Sequence, residues 1–130
     1  MGLKFEHIAV ASNSEGESDK FFVKLLGLDK LRTFTVSNDK MNKFFNIDEE
    51  HKFIRYEKQD LSVEVIITNK QECAKDNFTH SCISVENCIS LIERADTMGY
   101  DVKKVPREKN KGYYLFIKDS FGNVFEIKEL

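Results

Sequence analysis

The sequence predicts an α+β chain built from two tandem βαβββ modules, and three observations predict it. "FEHIAVAS" (5–12) and "FTHSCISV" (78–85) both open with Phe-x-His at the head of an alternating apolar run. Each is followed by a helical stretch ending in glycine, Gly27 lying 20 residues after His7 and Gly99 lying 19 after His80. Each half then closes on a strand-like segment with one carboxylate among apolar residues, Glu64 in "LSVEVIIT" and Glu126 in "NVFEIKEL". Self-similarity of this kind within one chain points to a repeated structural unit.

In the first half, apolar alternation predicts a strand over 3–11. A helix over 15–26 follows, because Glu15, Glu17 and Asp19 favour a helix N-terminus and Phe21, Phe22 and Leu25 give it a core face. Strands come next at 29–36, 51–58 and 61–68, the last two joined by the short turn "KQD". Between the first two lies "SNDKMNKFFNI" (37–47), which accounts for the 11 residues by which the His7-to-Glu64 interval of 57 exceeds the His80-to-Glu126 interval of 46. Ser37 or Asn38 caps a helix there, with Met41, Phe44 and Phe45 at i, i+3 and i+4 on one apolar face. A short strand over 41–47 is the alternative, since phenylalanine also suits strands.

The second half repeats the order, with a strand over 78–85, a helix over 87–98, and strands over 101–107, 112–118 and 123–129. "DSFGN" supplies Asp119 and Gly122 for the last hairpin. Pro106, the only proline, belongs at a sheet edge because it cannot donate to a ladder. The polar, aperiodic "NKQECAKDN" (69–77) reads as the linker between a module over 1–69 and one over 77–130, together forming a single domain over 1–130.

Composition bounds the function. A chain of 130 residues with 41% hydrophobic residues and 11 phenylalanines can bury a stable core. A net charge of -2, from 20 basic and 22 acidic residues, gives no electrostatic footprint for nucleic acid or an anionic membrane. The one dense basic stretch, "KKVPREKNK" (103–111), reads as a solvated strand and loop. No apolar run approaches the roughly 20 residues that span a bilayer, and the N-terminus has no signal-peptide layout, so a soluble cytoplasmic protein is expected. Cys73, Cys82 and Cys88 form an odd set without a CxxC pair, which predicts free thiols rather than a disulfide framework or a thiolate zinc site.

Strand parity gathers the unusual residues, because alternate side chains leave opposite faces of a sheet. Ile8 and Val10 share a face with His7 opposite, and Ile83 and Val85 repeat this against His80. Val63, Val65 and Ile67 lie opposite Glu64, and Phe125 and Ile127 lie opposite Glu126. The apolar sets can pack under the helices while His7, Glu64, His80 and Glu126 converge if the two sheets lie side by side with matching curvature. Two carboxylates and two neutral imidazoles around a divalent cation sum to zero charge, and coordination replaces their lost hydration. Nitrogen and oxygen ligands without thiolate suit Ni, Co, Zn, Mn or Fe. Cys82 shares the His80 face as a small filler, and His51 has no counterpart in the second half and reads as surface.

These residues resemble the vicinal oxygen chelate superfamily, which includes glyoxalase I, methylmalonyl-CoA epimerase, extradiol dioxygenases, and fosfomycin and bleomycin resistance proteins. The resemblance runs through "EHIAVAS", "FFVKLLGL", "VEVII", "THSCISV" and "DSFGNVFEI", nearly the whole chain. It implies a metal-binding cup formed by the two modules, the glyoxalase/bleomycin resistance fold, with one divalent ion (Ni, Co, Zn or Mn) held by His7, Glu64, His80 and Glu126. That ligand set is similar to bacterial glyoxalase I, whereas the epimerase has glutamine at the Glu64 position. "GLDKLRT" is similar to the stretch in which an arginine binds the glutathione carboxylate, a role that would fall on Arg32. Tyr113, Phe116, Arg55 and Arg32 are further candidates for lining the cup.

The implied activity is that of a metal-dependent lyase or isomerase that abstracts a proton next to a carbonyl of an α-oxo compound or its thiol adduct. Glu126 is the expected base and Glu64 its pseudo-symmetric partner. A thiol cosubstrate and a homodimer are implied as partners, with the cup formed within one chain or shared across a two-fold axis. The rival readings are an acyl-CoA epimerase and a small-molecule binding or antibiotic resistance protein that needs no turnover.

Overall fold

The computed structural model describes residues 2–71, 76 and 78–130, and the chain divides into two compact units, Met1–Gln71 and Glu72–Leu130. In the first unit the elements run β1 (Ile8–Ser12), α1 (Glu15–Asp19) continued by a π-helical stretch (Lys20–Leu25), β2 (Asp29–Val36), α2 (Asn38–Phe45), β3 (His51–Lys58) and β4 (Leu61–Ile67). In the second they run β5 (His80–Val85), α3 (Cys88–Thr97), β6 (Asp101–Pro106), a short 3-10 turn (Glu108–Asn110), β7 (Tyr113–Lys118) and β8 (Val124–Glu129). Each unit holds one four-stranded mixed sheet, ordered β1-β4-β3-β2 and β5-β8-β7-β6, with the first and last strands of the unit parallel and all other pairs antiparallel. Of the linker expected over 69–77, residues 72–75 and 77 lie outside the described residues, as does Cys73.

Local chemistry starts each helix. The side chains of Ser14, Ser37 and Asn87 accept the backbone N–H groups of Glu17, Lys40 and Ser90, satisfying one of the orphan donors at each N-terminus. Gly27 and Gly99 follow the first and third helical segments with φ of 78° and 84°. A side chain is disfavoured at such left-handed positions, which explains the recurrence of glycine in the repeat.

The first helix departs from the expected regular α-helix. After one turn it widens, with the Leu26 N–H donating to the Phe21 carbonyl, and the Leu28 N–H reaching the Phe22 carbonyl. The wider turn lets the adjacent Phe21 and Phe22 enter the core together with Leu25, all three fully buried. They meet Ile54, Tyr56, Val63 and Val65, equally buried on one face of the sheet. The Tyr56 ring stacks on Phe22 at 5.2 Å, and its hydroxyl donates to Asp19 at 2.7 Å. Burial pushes the Tyr56 phenol far above its ordinary range. On the same side Lys30 bridges Glu15 and Asp19, and Lys30 and Lys52 hold the Glu15 carboxyl below its usual value.

The first strand is shorter than expected. Pairing begins at Ile8 opposite Val63; carried back, that register sets Glu6 opposite Leu61, where β4 starts. Residues 3–5 therefore run past the sheet and are exposed. The insert over 37–47 is a helix, not a strand, and ends at Asn46 in the left-handed conformation. Met41 is buried against Val36 and Phe53, with Phe34 and Ile66 alongside. This second cluster occupies the sheet face turned away from α1. The expected common face of Met41, Phe44 and Phe45 is not buried as a whole, since Phe44 and Phe45 remain 62% and 50% exposed. Eight residues make only about two turns, and the turn carrying Met41 is the one that reaches the sheet.

The β3–β4 hairpin places Gln59 at φ 54°, where an L-residue with a Cβ is strained. Gln59→Gly is expected to raise stability by about 0.5–1 kcal/mol, the relief of strain exceeding the extra flexibility of the unfolded chain. Urea unfolding checks this: an unchanged or lowered midpoint would refute the strain.

In the second unit, Leu91 and Ala95 of α3 are buried with Ile117, Phe125 and Ile127, which share one sheet face. Pro106 sits on the edge strand β6, where its missing N–H breaks no ladder on the open side. The β7–β8 turn is organised by Asp119, whose carboxylate accepts the N–H groups of Phe121 and Asn123 and the Asn123 side-chain amide. Burial nonetheless pushes its pKa up. Cys82 is a free exposed thiol and Cys88 a free buried one, whose pKa burial also raises. The basic run over 103–111 lies along β6 and the following turn, with Lys104 over the Tyr113 ring and Arg107 over that of Tyr114.

Candidate metal centre

The two units present the same row of positions across their sheets. In the first, Ala9, Glu64, Arg55 and Arg32 stand opposite one another across β1, β4, β3 and β2. In the second, Cys82, Glu126, Phe116 and Lys103 do so across β5, β8, β7 and β6. The histidines lie two residues before Ala9 and Cys82, so that His7 and His80 point to the same face as the carboxylates. That face is the one away from α1 in the first unit, where α2 covers part of it, and away from α3 in the second.

His7 Nε2 lies 3.7 Å from Glu64 Oε1, and His80 Nε2 lies 3.4 Å from Glu126 Oε1. Both separations exceed an ordinary N–H···O hydrogen bond of about 2.7–3.2 Å. Two donors sharing an ion at bonds of about 2.0–2.2 Å and a tetrahedral angle would stand roughly 3.4 Å apart, so both pairs are within reach of a common cation. His80 Nδ1 lies 2.8 Å from the Phe78 carbonyl. A carbonyl only accepts, so Nδ1 donates to it, and Nε2 is the ring nitrogen turned towards Glu126, the kind of outer support that metal-binding histidines ordinarily have. The Phe116 ring meets His80 edge-on at 5.8 Å and fixes its orientation further. His7 Nδ1 is buried, with no hydrogen-bond partner among the described residues. Among the described residues, no group of three or more His, Cys, Asp or Glu side chains is placed to hold a metal ion. Each unit by itself brings together one imidazole and one carboxylate, donor types that suit a divalent cation.

The two carboxylates differ in their surroundings. Glu64 Oε2 accepts Arg55 Nη2 at 2.9 Å, and Arg55 Nη1 donates to Ser62 Oγ, which in turn donates to Glu57. Glu126 has Phe116 where Glu64 has Arg55, and its one ion-pair partner among the described residues is His80. Glu64 is thus held from two sides, one oxygen by a guanidinium and the other facing His7. Glu126 is held only through the pair itself.

Of the other expected lining residues, Arg32, Arg55 and Phe116 share the faces that carry the two pairs. Tyr113 does not. It pairs with Pro106 on the parity of Leu115 and Ile117, which turns it to the other face and gives Tyr114 the place beside Phe116. Lys103, opposite Phe116, went unnoticed because its signal in sequence is only that of one lysine in a basic run. The Arg55–Glu64 bond was equally hidden, since their pairing depends on the β3–β4 register. His51 is half-buried, its Nδ1 2.9 Å from the Glu49 carbonyl.

Comparison with solved structures matches this fold at low sequence identity. The glyoxalase family protein from Bacillus cereus is 12% identical, with a TM-score of 0.79, 99% of this chain and 95% of that chain being covered. The fosfomycin resistance protein FosX from Listeria monocytogenes is 14% identical, with a TM-score of 0.73 and coverage of 100% and 95%. A mutant of that Listeria protein, solved with Mn(II) and 1S,2S-dihydroxypropylphosphonic acid, is 15% identical, with a TM-score of 0.72 and coverage of 99% and 93%. No curated protein matches the chain. The family described as the Glyoxalase/Bleomycin resistance protein/Dioxygenase superfamily matches residues 4–127. With two mixed four-stranded sheets in βαβββ order and that match over nearly its full length, the chain belongs to this superfamily.

Proposed function

We propose that the chain is a divalent-metal-dependent lyase or isomerase, glyoxalase I-like, that moves a proton next to a carbonyl of an α-oxo compound or its thiol adduct. The observation that carries the reading is the repeated pair, an imidazole Nε2 and a carboxylate Oε1 at 3.7 Å in one unit and 3.4 Å in the other. His7 with Glu64 and His80 with Glu126 are the proposed ligands, for Ni, Co, Zn or Mn. The bound ion would supply Lewis acidity that polarises the substrate's oxygen.

The remaining work belongs to the chain. Glu126 is the proposed base, because among the described residues no lysine or arginine side chain pairs with its carboxylate and Phe116 gives it an apolar cross-strand neighbour. Glu64 takes a ligand role, with Arg55 holding Oε2 and leaving Oε1 to face His7. Arg32 is proposed to hold an anionic part of the substrate or cosubstrate.

Metal content tests the reading. Stripped protein offered Ni, Co, Zn and Mn in turn is expected to retain about one ion per chain by mass spectrometry, as four protein ligands per ion imply. His80→Ala should abolish retention. A protein that holds none of these metals would overturn the enzyme reading.

A further inference from the structure

Of the two imidazoles proposed as ligands, His80 has its Nδ1 held by the Phe78 carbonyl at 2.8 Å, whereas His7 Nδ1 has no hydrogen-bond partner among the described residues. That carbonyl must be fixed in turn if it is to orient a ring. The ladder of β5 begins at His80, opposite Val124, so the peptide joining Phe78 to Thr79 precedes it and no strand pairing orients it. Asp76 orients it instead. Its Oδ1 accepts the Thr79 N–H at 2.6 Å and the Phe78 N–H at 2.9 Å, and its Oδ2 accepts the Thr79 hydroxyl at 2.7 Å.

The Thr79 N–H and the Phe78 C=O belong to one peptide group, which is planar and trans. They therefore point in opposite directions, the N–H to Asp76 and the carbonyl to His80 Nδ1. A carboxylate on the N–H side also polarises the peptide and strengthens its carbonyl as an acceptor. These bonds, that of the Thr79 N–H foremost, hold the Asp76 carboxyl below its ordinary value. The result is a relay of carboxylate, peptide and imidazole that leaves Nε2 turned towards Glu126 Oε1 at 3.4 Å.

Two comparisons within the chain separate this relay from a merely local contact. His51 Nδ1 also meets the carbonyl two residues before it, that of Glu49, so the contact between ring and carbonyl marks nothing by itself. In the first half the Phe-x-His register sets Leu3 where Asp76 stands, and leucine offers no acceptor. The histidine without the carboxylate is the one whose Nδ1 goes unpartnered.

We propose that Asp76 is a positioning residue for the metal centre, acting through the Phe78–Thr79 peptide to aim His80 Nε2 towards Glu126 and the ion they would share, which makes the second unit's pair the preorganised half of the site. This rests on the metal centre proposed above, but the aim of the ring needs no ion. The test takes the stripped full-length chain, labelled at its histidine nitrogens, and reads the rings by two-bond proton–nitrogen correlation NMR at about pH 9, above the ordinary imidazole range. Wild-type His80 is expected as the Nδ1–H tautomer. Asp76→Ala should mix the two tautomers, and Asp76→Asn, which keeps an oxygen for the Thr79 N–H, should restore the first. His7 should not shift in either variant. Calorimetric titration with Ni, Co, Zn and Mn should then show Asp76→Ala weakening ion binding about 10- to 100-fold, the usual cost of losing an outer support. A wild-type His80 ring protonated at Nε2, an unchanged His80 spectrum in Asp76→Ala, His7 moving as far as His80, or unaltered affinity for an ion that the wild type binds would each overturn the positioning role. If the wild type binds none of the four ions, the enzyme reading falls, and the His80 tautomer alone decides for or against Asp76.

Discussion

Glu126→Gln is expected to abolish exchange of the substrate's α-hydrogen with solvent deuterium, a loss of about 100- to 10,000-fold, the contribution of a positioned proton-transfer group. The substitution keeps size and one oxygen donor, so some metal binding should survive while the proton acceptor is gone. What singles out Glu126 is its neighbours. Its cross-strand partners are Cys82 and Phe116, neither of them a cation, and its contact with His80 is 3.4 Å. Glu64→Gln should behave differently, because neutralising Glu64 strips the nearly buried Arg55 of its close charge partner at 2.9 Å and leaves it only the exposed Glu6 at 4.0 Å. Its main effect is therefore expected on stability and metal retention. Solvent exchange followed by NMR separates the two variants, and full exchange in Glu126→Gln would reject its role as base.

Phe22→Ala should cost about 3–5 kcal/mol, the usual loss when a fully buried aromatic ring is deleted. Against a total stability of about 5–15 kcal/mol, that is enough to leave the first unit marginal. Phe22 is fully buried, stacked on Tyr56 and edge-on to Phe21 at 5.0 Å. It supports β3 from the back, the strand whose other face carries Arg55. Phe44→Ala provides the control. Its ring is 62% exposed, so the change should stay within about 0.5 kcal/mol. Comparable urea midpoints for the two variants would mean that the core does not lie between the first helix and the sheet.

Phe22 and Phe44 illustrate how far sequence reasoning reaches. Both sit in helices whose apolar spacing is visible in the sequence, and nothing local distinguishes the buried ring from the exposed one. The strands were legible because alternation and turn residues are local signals: "KQD" and "DSFGN" lie at the β3–β4 and β7–β8 turns. The parity of His7, Glu64, His80 and Glu126 was legible for the same reason. The widened helix after Asp19 was not, because it answers to the joint burial of Phe21 and Phe22 against strands distant in sequence.

By itself, the sequence determined the repeat, the βαβββ order in each half, and the histidine and carboxylate that each half turns away from its first helix, while leaving the insert over 37–47 open between helix and strand. Only the tertiary structure decided that Glu64 faces Arg55 while Glu126 faces Phe116, that an extra residue at Leu31 swings Arg32 beside Arg55, and that α2 caps part of that face. The physical reason is that periodicity along a chain records which face a side chain takes, whereas the residue opposite it depends on strand register. Register is set by bulges, turns and packing acting together over the whole sheet.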